Sequence, residues 1–179
     1  MEKEQANYDK ETAEIFSDPY AYAVDMHIEN IKKPENTVEI KKEYIQGLET
    51  ILVRQDISTA TSIFPKLEKC VELIDTPSVE SDMCAMLGHI AQNVEPVAKE
   101  LLRCKVFSKC IDLYKSKPET VNKILFLFTV INNTVADLSN ELRRCNEDPS
   151  IIKDISPTDV HLNERSKERL IAISQSLGL

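Results

Sequence analysis

Leu67-Glu68-Lys69-Cys70-Val71-Glu72-Leu73-Ile74 is echoed by Phe107-Ser108-Lys109-Cys110-Ile111-Asp112-Leu113-Tyr114, 40 positions further on. The echo continues on both sides. Pro77 answers Pro118, and Val94-Glu95-Pro96-Val97-Ala98-Lys99-Glu100-Leu101-Leu102-Arg103-Cys104 answers Val135-Ala136-Asp137-Leu138-Ser139-Asn140-Glu141-Leu142-Arg143-Arg144-Cys145 at an offset of 41. A period of about 40 residues that holds only helical patterns predicts an all-α chain of stacked units, each covering the apolar face of the next.

Working outward, the units predict helices at about 57–64, 65–74 and 77–93, then again at 96–104, 106–115 and 118–133. Asp18-Pro19 reads as an N-cap followed by proline at the first helical position, starting a helix to about Ile31 with Tyr20, Val24, His27, Ile28 and Ile31 on one face. Asn36 with Glu39 resembles a capping pair for the next helix, whose apolar stripe is Ile40, Tyr44, Ile45, Leu48, Ile51 and Leu52. Thr134 with Asp137 does the same for a short helix to about Cys145. A last amphipathic helix over 163–177 presents Leu170, Ile173 and Leu177 and stops at Gly178. The expected organisation is a polar, partly disordered arm at 1–17 and one helical domain at 18–179. Its units run over about 37–64, 65–104 and 105–145, with a capping segment at 146–179.

Composition narrows the function classes. The chain has 179 residues, 42% hydrophobic, and a formal net charge of −8. Residues 1–40 carry four basic and ten acidic side chains, and 76–145 carry nine and eight. That distribution offers no dense basic stripe for a phosphate backbone, so nucleic acid is not an expected partner. No apolar run approaches the roughly 20 residues of a spanning helix, so no membrane insertion is expected. Five cysteines without a hydrophobic leader point to free thiols and a cytoplasmic or nuclear location. The tightest spacing, Cys104-x5-Cys110, lacks the close pair of a zinc site, so the cysteines are expected in packing and neither a metal nor a cofactor is expected. His27, His89 and His161 have no nucleophile at a telling spacing, and no catalytic residue is assigned.

Two short helices followed by a long one, with proline at the entry of the first and third, resemble the armadillo repeat. The best-matching stretch runs from Glu95 to Asn133. The resemblance covers about 37–145 and implies a short armadillo-like superhelix of two and a half to three repeats with atypical terminal helices. In peptide-binding armadillo proteins the third helices carry Trp and Asn four apart along a concave groove. At the matching positions this chain has Gln46 and Thr50, then Ala85 and His89, then Phe126 and Val130, so that ladder is absent.

The resemblance implies a non-catalytic scaffold or adaptor that binds another protein or peptide on the concave face. Ala85, His89, Asn93, Lys123, Phe126, Val130 and Asn133 are the candidate contacts, with Phe126 and Val130 as the apolar centre. The alternatives are a chaperone cofactor, because small armadillo folds resemble certain nucleotide-exchange factors, and a structural subunit that self-associates through its terminal faces. A second candidate surface is a basic patch of Lys99, Arg103, Lys105, Lys109, Arg143 and Arg144, suited to an acidic segment. The run Ile124-Leu125-Phe126-Leu127-Phe128-Thr129-Val130-Ile131 is apolar almost all round, so its helix requires cover on every side, which the C-terminal segment is expected to supply.

Overall fold

A computed structural model describes residues 18–54 and 63–179. The N-terminal arm and most of the helix expected at 57–64 lie outside the described residues. The described residues are helical with no strand: α1 Pro19–Lys32, α2 Val38–Arg54, α3 Leu67–Glu72, α4 Glu80–Ala91, α5 Glu95–Arg103, α6 Val106–Ser116, α7 Val121–Thr134, α8 Leu138–Arg144 and α9 Glu164–Leu177. Short 3₁₀ turns at Phe64–Lys66, Leu73–Asp75, Pro118–Thr120 and Pro149–Asp154 adjoin or link them. None of these helices is long and apolar enough to cross a membrane.

Local chemistry explains most boundaries. Asp18 accepts a hydrogen bond from Ala21 N at 2.9 Å, and Pro19 sits where no backbone N–H is needed. At α2 the cap falls one residue later than expected. Thr37 Oγ1 accepts from Ile40 N at 3.4 Å, while Asn36 Nδ2 turns back to the carbonyl of Asn30 at 2.7 Å. Asp137 caps α8 by accepting from Asn140 N, whereas Thr134 is still the last residue of α7. Pro118 opens a 3₁₀ turn into α7, and Pro77 lies three residues ahead of α4, beside Ser78 at φ 70°.

The long helices form a row in which α1 packs on α2, α2 on α4, α4 on α7 and α7 on α9. The shorter helices α3, α5, α6 and α8 pack alongside. Phe107 of α6 and Phe128 of α7 stack at the centre, with rings 3.8 Å apart and 5° from parallel. Val121, Ile124, Leu125, Leu127, Phe128, Val130 and Ile131 of α7 are all buried between these layers. Two expected stripe positions are exposed: Tyr20 (51%) and Ile40 (39%). Each stands in the first turn of its helix, and beside Ile40 it is Lys41 that is buried.

Two echoed positions share a backbone conformation. Lys105 and Asn146, which follow the echoed Cys104 and Cys145, both adopt φ 57°, the left-handed region. The side-chain hydrogen bonds that bridge distant elements join residues 37 to 45 positions apart, from Lys117 to Glu80 up to Tyr114 to Asp159.

Candidate functional site

One line of side chains crosses the row of long helices. His89 Nδ1 on α4 lies 2.9 Å from Glu49 Oε1 on α2. On its other side His89 meets the Phe126 ring of α7 edge-on, with centroids 5.4 Å apart. Arg169 of α9 then places its guanidinium 5.4 Å above the same ring, a cation–π contact. The close approach of α4 and α7 depends on Gly88: a Cβ there would stand 2.6 Å from Phe126 Cε1.

Around Phe126 opens a cleft of ≈ 330 Å³ lined by His89, Asn122, Lys123, Phe126, Asn163, Arg165 and Arg169. It holds three permanent cations and no carboxylate. Lys123, Arg165 and Arg169 make no ion pair among the described residues. Burial, together with the Arg165 charge, holds the Arg169 guanidinium below the ordinary arginine value. The cleft is therefore a concentrated positive site in an acidic protein.

A polar network fixes the position of α9. Tyr114 Oη donates to Asp159 Oδ2 at 2.5 Å, and Asp159 Oδ1 accepts from the backbone N–H of His161 at 2.8 Å. Asn122 Nδ2 donates to the His161 carbonyl at 2.8 Å, and Asn122 Oδ1 accepts from Asn163 N at 3.2 Å. Asn163 in turn caps α9 by accepting from Ser166 N. The hydrogen bonds from Tyr114 and from His161 N hold the Asp159 carboxyl below its ordinary value, while burial and the Asp159 bond push the Tyr114 phenol up. The loop before α9 is thus tied to α6 and α7, and Arg165 and Arg169 are delivered over Phe126 as a consequence.

Of the expected contacts, the structure brings His89, Lys123 and Phe126 to one cleft. Phe126 is half-buried. Ala85, Asn93, Val130 and Asn133 do not line it. Val130 is 9% exposed and belongs to the core, because the neighbouring helices cover α7 on that side. Asn93 occupies the turn after α4 at φ 62°. Arg165 and Arg169 escaped the sequence reading; their i,i+4 spacing on a charged helix was the available signal.

The expected basic patch is largely neutralised. Lys99 pairs with Glu95 at 2.9 Å, Arg103 with Glu100 at 2.8 Å, Lys109 with Asp75 at 3.2 Å and Arg144 with Glu141 at 2.6 Å. Only Lys105 and Arg143 of that group are without an ion pair among the described residues. Glu95, Glu100 and Glu141 stand three or four residues from their partners on the same helix, a spacing the sequence does show, while Asp75 reaches Lys109 from the turn after α3.

The thiolate form is disfavoured at Cys70, Cys104, Cys110 and Cys145. Burial pushes Cys70 up to about 12 and Cys104 up to about 11. The hydrogen bond with Cys84, then burial, raises Cys110 well above the ordinary thiol value. Cys70, Cys84 and Cys110 are buried, and Cys104 and Cys145 are half-buried. Among the described residues no group of three His, Cys, Asp or Glu side chains could hold a metal ion.

Comparison with protein-family models, with curated proteins and with solved structures finds no match to this chain.

Proposed function

We propose that this protein is a non-catalytic interaction module of armadillo-like architecture, a scaffold or adaptor that binds another protein on the face formed by α2, α4, α7 and α9. The observation that carries this reading is the line Glu49, His89, Phe126 and Arg169. It gives four successive long helices a common surface with charged ends and an aromatic centre. The bridges of 37 to 45 residues, and the shared left-handed turn at Lys105 and Asn146, support a repeat architecture. A cytoplasmic or nuclear location accords with the free cysteines, three of them buried.

Affinity capture from the native cell tests the reading. The expected result is a partner held by the wild-type chain and lost by His89→Ala and Phe126→Ala, each checked for folding by its melting curve. Capture unaffected by either folded variant overturns it. Stimulated nucleotide release from a heat-shock chaperone would select the chaperone-cofactor alternative. Stable self-association at micromolar concentration would select the structural subunit.

A further inference from the structure

We propose that the cleft of Lys123, Phe126, Arg165 and Arg169 takes an acidic peptide segment, with aspartate or glutamate side chains flanking one apolar residue that lies against the Phe126 ring. The proposal specifies the partner's chemistry and rests on the interaction-module reading above.

Charge is the first argument. Three permanent cations converge on ≈ 330 Å³ without a carboxylate among the lining residues. Elsewhere among the described residues cations reach acids on other elements, as Lys42 does with Asp82, Lys115 with Asp154 and Lys117 with Glu80. Like charges held together raise the free energy of the unliganded cleft, and an anion removes that repulsion. Arg165 also lies in the first turn of α9, a 14-residue helix whose N-terminus adds to the positive potential.

The shape and chemistry of the floor decide among anions. Phe126 is half-buried and lines the cleft, so part of its ring is open there, which rewards an apolar group beside the charges. Two arginine forks match carboxylates in bidentate geometry. A nucleic acid or an anionic bilayer would place many further negative charges against a chain of net charge −8, which three local cations do not offset. At the far end of the line Glu49 is a carboxylate beside His89, so the face turns from positive to negative, and the acidic part of the peptide lies toward α9.

The test is an NMR titration of the full-length ¹⁵N-labelled protein with a short synthetic peptide carrying glutamates on both sides of a central leucine, against the same peptide with glutamines. Expected are amide shifts centred on 122–126 and 163–169, and an affinity at least about tenfold higher for the acidic peptide, falling with added salt. Lys123 and Arg165 are exposed, so Lys123→Glu with Arg165→Glu should melt as the wild type does and lose the binding. The proposal is overturned by equal binding of the glutamine peptide, by the absence of binding, by shifts centred on Lys105 and Arg143, or by persistence of binding in the charge-reversed variant. A single-stranded oligonucleotide that binds more tightly than the acidic peptide would also overturn it. A cellular partner lost by Phe126→Ala yet kept by the charge-reversed variant would sink the acidic peptide while leaving the interaction module standing.

Discussion

Glu147, in the turn after α8, holds the first turn of α6 from 39 residues away: its Oε1 accepts from Ser108 N at 2.8 Å and from Ser108 Oγ at 2.6 Å. No side chain caps α6 locally, because the residue at its N-cap is Lys105 in the left-handed region. The cap comes instead from the following unit, and Glu147 is only 5% exposed. Glu147→Ala should destabilise the fold by about 1–3 kcal/mol, since it leaves a buried backbone donor without a partner. Ser108→Ala should cost less, about 1 kcal/mol, because the backbone bond survives. Urea unfolding of the two variants checks the order.

Lys105 itself offers a stabilising substitution. A non-glycine residue at φ 57° is strained, and Lys105→Gly should gain about 0.5–1 kcal/mol despite glycine's greater freedom in the unfolded chain. A lower denaturation midpoint for Lys105→Gly would show that the lysine side chain contributes more than the strain costs.

The contact of Gly88 with Phe126 predicts a non-additive pair. Gly88→Ala alone should cost about 1–3 kcal/mol, because the new methyl meets the ring at 2.6 Å. With Phe126→Ala in place the clash is gone, and the same Gly88→Ala should stabilise by about 0.5–1 kcal/mol through helix propensity. A double-mutant cycle by thermal unfolding reads the coupling.

Acid should unfold the protein through its lysine-paired carboxylates. Burial alone pushes Asp25 and Glu80 up, but the bonds from Lys66 and Lys69 to Asp25, and from Lys117 to Glu80, outweigh it, so both titrate below their ordinary 3.8 and 4.5. A carboxyl depressed in the folded state contributes its stability above the unfolded value and loses it as pH falls through the folded value. The Tm should be flat from about pH 7 to about pH 5 and drop below that. Lys117→Met should weaken the acid dependence, because Glu80 then no longer titrates low.

Much of this architecture was legible because periodicity is a property of the chain itself. The echo around Cys70 and Cys110 located α3 and α6, and α9 ends at Gly178, at φ 73°, where glycine was the only cue. The cap at α2 was misplaced by one residue, since Asn36 and Thr37 are both good caps and only the pull of the Asn30 carbonyl on Asn36 separates them. The site was half legible. His89, Lys123 and Phe126 lie on long helices whose stacking follows from the repeat. Arg165 and Arg169 arrive on a helix placed by the Tyr114, Asp159, Asn122 and Asn163 network, a tertiary arrangement with no local pattern. The pairing of Lys109 with Asp75 was hidden for the same reason, whereas Lys99, Arg103 and Arg144 have their acids three or four residues away on the same helix, within reach of spacing alone.

Removal of 157–179 should expose the apolar side of α7 that α9 covers. The truncated chain is expected to bind a hydrophobic dye, to self-associate and to melt at a lower temperature. A truncated chain as stable and monomeric as the whole would show that this contact contributes nothing to the fold.

The spacing of the bridges also bears on how this protein would respond to tension. Each long-range side-chain hydrogen bond among the described residues spans one unit, 37 to 45 residues, and none spans two. A pull applied at its two ends would therefore load the unit boundaries in series, and no bridge would shield the one beyond it. Under force the molecule is expected to lengthen in steps of roughly 40 residues, with the weakest boundary parting first.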